Sequence, residues 1–433
     1  MEQLLHYVWQ HKMFPLQPLQ TTDGQSIEVI DPGLHNTNEG PDFFNAKVNI
    51  DGMLWVGNIE IHLHASDWLR HGHQKDSHYD NVILHVVGQA DIPISTCSGH
   101  LPPQLVLPIP SHIAENYQEL LKEANYPPCY RIIPYVDAFT AHSWMSALTV
   151  ERLEEKMRRI EEYLERTQGD WERAYFITLA RNFGFGNNTE AFENWAFHLP
   201  PQTIVKHRDD LFQVEAMFMG QAGLLEDDGV KDDCKDDYFQ KLRREYRFLA
   251  HKFSLTPMNA REWHFLRMRP QNFPHVRLAQ LAQLYHQGRT GLSMMLERKQ
   301  PDQLKELFSV GVTPYWETHY TFGHAGSPQK KVLQNNSLNL LLINTVVPFL
   351  FAYGRHHLNE ELCERAFELL EHTKAEQNFI TRSWENAGLK VEHAADSQAL
   401  IQLRRKYCDK KDCIRCRFGT EYLKRIDQTT IPI

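Results

Sequence analysis

The periodicity of the chain changes once, near a Pro127-Pro128 pair, and no single fold pattern spans both sides of it. Before the change, short runs alternate or cluster β-branched and large apolar residues: SIEVIDPG, FFNAKVNI, MLWVGNIEIHLHA, NVILHVVG and PQLVLPI, each closed by turn chemistry. Asp51-Gly52 between two of these runs predicts a tight hairpin, because such a turn needs positive φ. Residues 2–14 predict one helix, with Leu5, Val8, Trp9 and Met13 on a stripe, and 67–80 a short helix or loop. Beyond 134 the pattern is helical. Leu153, Met157, Ile160 and Leu164 form one stripe, with Thr149 at the expected N-cap. Further helices are expected at 170–183, 190–198, 208–224, 236–251, 275–287, 292–299, 302–309, 335–353, 359–374 and 376–387. The reading is an α+β chain: a sheet domain over 1–125, a linker over 126–134, and a helical domain over 135–433.

Bulk properties exclude some classes. A formal charge of −9 does not suit a surface that is one nucleic-acid footprint, though it allows a local basic groove. The most apolar run, 338–352, is shorter than the roughly 20 residues a membrane span needs and contains Asn339, Asn344 and Pro348, so a buried helix is expected there. The first residues lack the features of a secretory signal. Seven cysteines, three of them within ten residues, do not make a disulfide framework and suit a reducing cytoplasm. The acidic stretch 226–237 lacks the ligand spacing of a calcium loop and reads as a solvated connection.

Chemistry concentrates in 38–68. Asp42 opens one strand, and the facing strand presents Glu60, His62 and His64, which alternate onto one face. A carboxylate and imidazoles on one sheet face can hold a divalent cation. Carboxylate oxygen suits Mg²⁺ or Mn²⁺, and added imidazole shifts the preference toward Mn²⁺ or Zn²⁺. His71 and His73 are further candidates, and His85 either faces the same place or is core. Register tests the idea. A two-residue turn at Asp51-Gly52 pairs Ile50 with Met53, which leaves Asp42 on the wrong face. One extra residue in the second strand would bring Asp42 opposite His62 and onto the face of Glu60. Gly57 therefore predicts a bulge or break near 56–58.

At these residues the chain resembles the PD-(D/E)XK nuclease superfamily, with Pro41-Asp42 as its Pro-Asp and Glu60-Ile61-His62 as its (D/E)-x-K. The resemblance implies a restriction-endonuclease-like α/β/α core, helix–meander–helix–strand, followed by an all-α C-terminal domain. It implies that Asp42 and Glu60 bind Mg²⁺ or Mn²⁺ and that position 62 orients or deprotonates water. His62 replaces the superfamily's lysine, which leaves it open as base or as ligand. Glu2 is a candidate for the extra acid many members carry in the first helix. Through GPDF, EIHLHASDW, the NVILHVV strand and the terminal cysteines, the whole chain resembles an uncharacterised bacterial domain-of-unknown-function family.

Cys408-x4-Cys413-x2-Cys416 can wrap one metal or an iron–sulfur cluster, since short loops let each sulfur turn inward. The local sequence lacks a fourth ligand; Cys129 is the first candidate and Cys363 the second. Both a [4Fe–4S] cluster and zinc fit. The layout resembles that of some nucleases of the superfamily, in which an upstream cysteine completes such a cluster. The basic residues of 404–425, and the run KLRREYRFLAHK at 241–252 with Tyr246 and Phe248, read either as nucleic-acid contacts or as solvated faces. The segment 264–285 and the asparagines from 335 to 344 read as interhelical packing with polar caps.

Three functions suit these residues: a metal-dependent nuclease acting on DNA or RNA through Asp42, Glu60 and His62; a His/carboxylate non-haem iron enzyme on a barrel; or a non-catalytic, metal-stabilised nucleic-acid-binding protein. The element order favours the first. A double-stranded barrel needs more strands than 20–110 offer.

Overall fold

The computed structural model describes residues 1–15, 18–36, 38–226 and 234–426; residues 227–233 of the acidic stretch lie outside that set. The chain forms two compact units. A sheet unit comprises Met1–Trp144, Arg382–Lys390 and Leu403–Ile433, and a helical unit comprises Met145–Thr381 and Val391–Gln402. The division therefore falls at 144, beyond the proline pair, and the end of the chain returns to the sheet unit.

The sheet unit begins with helix α1 (Glu2–Gln10). Among the described residues, seven strands follow: β1 (Leu19–Gln20), β2 (Ser26–Asp31), β3 (Leu34–His35), β4 (Phe43–Ile50), β5 (Met53–His64), β6 (Val82–Gln89) and β7 (Gln104–Val106). They form one open mixed sheet in the order β1-β2-β4-β5-β6-β7, with β3 paired to β4. β2, β4 and β5 are antiparallel. β6 runs parallel to β5 and β7, reached through a short helix α2 (Asp67–His71) and two 3₁₀ turns. An open sheet of this order is not the barrel that the iron-enzyme reading required. Val82–Val87 are buried on both faces, as a continuous apolar run in a central parallel strand requires. α1 covers one face with Leu4, Leu5, Val8 and Trp9; Trp68 and Tyr79 pack with Val82, Val87 and Ile94 in a second cluster.

The register places the bulge on the other strand from the one expected. Ile50 pairs with Met53 as the hairpin predicts, and Ala46 with Gly57, but Phe43 pairs with Ile59. The extra residue thus lies in β4, while β5 runs unbroken. Asn45 absorbs it at φ 56°, a left-handed conformation that asparagine tolerates. The Asn58 side chain braces the bulge: Oδ1 accepts the Asn45 N–H at 3.3 Å, and Nδ2 donates to Asn81 Oδ1 at 2.8 Å. Gly57 has a different purpose from the expected one. A Cβ there would stand 2.3 Å from Ile83 Cγ2 and 2.9 Å from the Asn81 carbonyl, so its bare backbone lets β6 start close against β5.

Helix α3 (Ser111–Lys122) completes the sheet unit with the Arg417–Leu423 helix; Asn116 Nδ2 donates to the Leu423 carbonyl at 3.1 Å. Neither helix was expected, although Ile113, Tyr117 and Leu120 carry the helical spacing that would have shown α3. The helix expected to start at Thr149 begins at Ala138. Thr149 sits inside it, with its hydroxyl bonded back to the Met145 carbonyl at 3.0 Å instead of capping.

In the helical unit, Asn335–His356 is long and apolar enough to cross a membrane by length and composition, and 72% of that apolar window is buried. It is a core helix. Pro348 cannot donate to the carbonyl of Asn344, and the helix widens into a π turn over Leu342–Val346 just before it. Asn182 Nδ2 takes over, donating to that carbonyl at 2.9 Å, while Lys156 Nζ donates to Asn344 Oδ1 at 2.9 Å. Asn344 is thus a packing device. Tyr246 is likewise core, its hydroxyl bonded to Gln221 at 3.1 Å, whereas Phe248 is exposed.

Candidate metal centre

The β4 bulge brings Asp42 opposite Glu60, and the two strands then hold each other's carboxylates. The Asp42 N–H donates to Glu60 Oε2 at 3.1 Å, and the Ile61 N–H donates to Asp42 Oδ2 at 2.9 Å. The other oxygen of Glu60 faces imidazoles: Oε1 lies 3.4 Å from His62 Nε2 and 3.2 Å from His73 Nε2. His71 closes the group with Nδ1 at 3.2 Å from His62 Nε2. Donor nitrogens of His62, His71 and His73 all lie within 4.8 Å of one another, close enough for one cation.

Each of the three histidines arrives by a different local device. His62 follows from strand alternation after Glu60. His71 ends α2, and Gly72 at φ 82° turns the chain back, so that His73 enters the first 3₁₀ turn and points at Glu60. Tyr79 stacks on the His73 ring at 3.8 Å and fixes its plane. His85 supplies the second layer, its Nε2 2.9 Å from His62 Nδ1. A metal-binding imidazole keeps its proton on the nitrogen away from the ion, so His62 bound through Nε2 would donate from Nδ1 to His85.

On the outer side, His6 Nε2 lies 3.5 Å from Asp42 Oδ2, and the His35 ring is 5.9 Å from that of His6. Glu2, one turn earlier on α1, faces the same place: its charge acts on His6, Asp42 and Glu60. His6 and His35 were not among the expected residues. The i, i+4 spacing of Glu2 and His6 was the available signal. Among the described residues, His64 is not one of the converging donors; its backbone N–H donates to Asp67 Oδ2 at 3.1 Å.

The electrostatics suit a cation. Burial, then Asp42 and Glu2 for Glu60, pushes the two carboxyls up, Asp42 to about 6 and Glu60 to about 9. Burial pushes the imidazoles down: His6 to about 4, His85 to about 3 and His62 to about 2, with neighbouring imidazoles adding to the effect at His62. His73 moves in the same direction. Neutral imidazoles are ready ligands, and two crowded carboxyls gain most from a nearby positive charge. The group is graded in depth: His62, His73 and Glu60 are buried, Asp42 is half-buried and His71 is exposed, so one side meets solvent.

The other expected contacts are distributed as follows. In 404–425, Arg415 pairs with Asp412 at 2.7 Å, Arg404 with Asp409 at 3.3 Å and Lys424 with Glu421 at 3.0 Å, so much of this charge is locally compensated. Cys363 packs in the helical unit, its Sγ 3.8 Å from the Phe351 carbonyl and against Gly354. No curated protein matches the chain, and no solved structure matches it. The sequence profile of one family, described as a protein of unknown function (DUF2851), matches residues 2–379.

Proposed function

We propose that this chain, which belongs to the DUF2851 family of proteins of unknown function, is a divalent-metal-dependent nuclease whose metal sits on Glu60, His62, His71 and His73. One observation carries the reading: Glu60 is shared, with Oε1 among the imidazoles and Oε2 on the main chain of Asp42. That arrangement couples a buried nitrogen-rich donor set to an outer acidic rim formed by Asp42 and Glu2. The helix–meander–helix–strand order, with β6 parallel to β5, agrees with the restriction-endonuclease-like core that the PD-(D/E)XK resemblance implies.

A cation held there would lower the pKa of a bound water and offset phosphate charge. The remaining roles belong to the chain. Asp42 is fixed by the Ile61 N–H and opens onto solvent, where a phosphodiester would approach. His62 has both ring nitrogens engaged, by His85 on one side and by Glu60 and His71 on the other, so it serves as a ligand. The free-standing base is His6, the neutral imidazole beside Asp42. Three imidazoles and one carboxylate suit Mn²⁺ or Zn²⁺ better than Mg²⁺, whose preference is for oxygen. Nucleic acid is the proposed partner, with the basic 404–425 segment belonging to the same unit as the site.

The test is degradation of end-labelled single- and double-stranded DNA and RNA with Mn²⁺ or Mg²⁺, by wild type and by Glu60→Gln. Cutting that needs Mn²⁺ and disappears in the variant supports the reading and identifies the substrate. Wild-type protein that binds Mn²⁺ yet cuts none of the four substrates refutes it, and makes the metal a structural element of a binding protein.

A further inference from the structure

Cys129, Cys408, Cys413 and Cys416 are all free thiols, and packing within the sheet unit brings their two segments together. The Arg404 guanidinium lies over the Tyr126 ring at 5.0 Å. Trp384 bridges the segments, with Nε1 donating to Tyr126 Oη at 3.0 Å and its ring 5.3 Å from that of Phe418. Lys411 Nζ donates to the Leu121 carbonyl at 2.7 Å, and Tyr422 Oη to Glu119 at 2.8 Å, which ties the cysteine loop to the helix leading into Cys129. Cys129, Cys413 and Cys416 are buried and Cys408 is half-buried, at the end of a π turn over Arg404–Cys408.

We propose that Cys129, Cys408, Cys413 and Cys416 together ligate one [4Fe–4S] cluster.

The spacing of the sulfurs points to a cluster and away from a single zinc ion, and two further features point to a metal group at these thiols. Zinc at about 2.3 Å from each sulfur would draw four thiolates to within roughly 3.8 Å of one another. Among the described residues, the donors that converge within 4.8 Å are the imidazole nitrogens of the other site, and no trio of these sulfurs does so. In a four-iron cluster each thiolate binds a different iron, so the sulfurs stand further apart. The loop is also shaped for close wrapping: a Cβ on Gly419 would stand 2.1 Å from the Cys413 carbonyl oxygen, so only glycine lets the chain fold back there. Finally, the buried Trp144 indole N–H is directed at the Cys416 sulfur and has no nitrogen or oxygen partner, so a cluster-bound thiolate there would be a stronger acceptor for it. Burial, together with the neighbouring thiols, holds Cys129 and Cys408 well above the usual thiol range. Proton loss from these thiols must therefore accompany loading.

This inference is independent of the nuclease reading. Full-length protein purified without oxygen is assayed for iron, zinc and acid-labile sulfide. The expected result is about four iron and four labile sulfide per chain, with the broad visible absorption of a sulfide-bridged cluster, bleached by air. Cys129→Ser and Cys408→Ser are expected to lose most of the sulfide, and Cys97→Ser, at an exposed thiol of the same unit, to keep it. One zinc without sulfide overturns the proposal, and so does iron without sulfide, which belongs to the imidazole site. Full sulfide in Cys129→Ser overturns the ligand set. Where a ligand variant does not fold, the wild-type stoichiometry decides.

Discussion

At the scale of single residues, Glu60 shows how a costly group marks a site. Its carboxyl is buried and held up to about 9, so the neutral Gln in Glu60→Gln resembles the form already favoured without metal. Stability of the metal-free variant is expected to stay within about 1 kcal/mol of wild type, and Mn²⁺ is expected to raise the Tm of wild type but not that of the variant. A variant that loses Tm equally with and without Mn²⁺ would make Glu60 a packing residue. Glu215, in the helical unit, is a second buried acid with a different meaning. Burial raises it from 4.5 to about 7, and its oxygens accept from Tyr238 Oη at 2.7 Å and from the Trp316 indole N–H. Because the folded pKa is the higher one, its contribution is complete below pH 4.5 and is lost as pH rises through 7. The loss amounts to roughly 3 kcal/mol at about 1.4 kcal/mol per pH unit. Glu215→Gln keeps both contacts, since a tyrosine hydroxyl can also accept, and its Tm is expected to vary less than that of wild type between pH 5 and 7. Equal pH dependence in the two proteins would contradict this account.

At the scale of elements, the bulge in β4 decides whether a site exists. Asn45→Gly should keep both the register and Mn²⁺ binding, whereas Asn45→Val, with a β-branched side chain in a left-handed conformation, should cost about 1–2 kcal/mol. Deleting Asn45 would rotate Asp42 to the opposite face, and Mn²⁺-dependent activity should vanish while the β-sheet signal in circular dichroism persists. Gly57→Ala should destabilise by about 1–3 kcal/mol through the Ile83 and Asn81 contacts. Much of this was legible in the sequence. Strand alternation placed Glu60 and His62 together, the Asp51-Gly52 turn fixed the starting register, and that register required a one-residue correction. What alternation cannot say is which strand supplies the correction, because an extra residue on either side restores the face. The signal for β4 was Asn45, a residue at ease with positive φ, set between the apolar Phe43-Phe44 and Ala46. His71 and His73 were legible as candidates but could not be ranked above His64, because their positions depend on the turn at Gly72, whose direction no periodicity encodes.

At the scale of the whole molecule, the sequence marks a change of composition where the structure marks a change of partner. The proline pair ends the strands, yet the sheet unit continues to Trp144 and takes in two later segments, because α3 packs against the Arg417–Leu423 helix, with Asn116 bonded to the Leu423 carbonyl and Glu119 to Tyr422. Such long-range closure leaves no local trace. A fragment of 1–134, natural by composition, is therefore expected to be poorly soluble or to show broad amide resonances, and a well-dispersed spectrum from it would show that the later segments are dispensable. The same closure also fixes an order of events during synthesis. The first unit to emerge from the ribosome is the last to be finished: at about 5–20 residues per second it waits tens of seconds for its final segment. Three of its four clustered thiols are made only at the end of that wait, so Cys129 stands alone, without the sulfurs that later surround it, while the helical unit is being built.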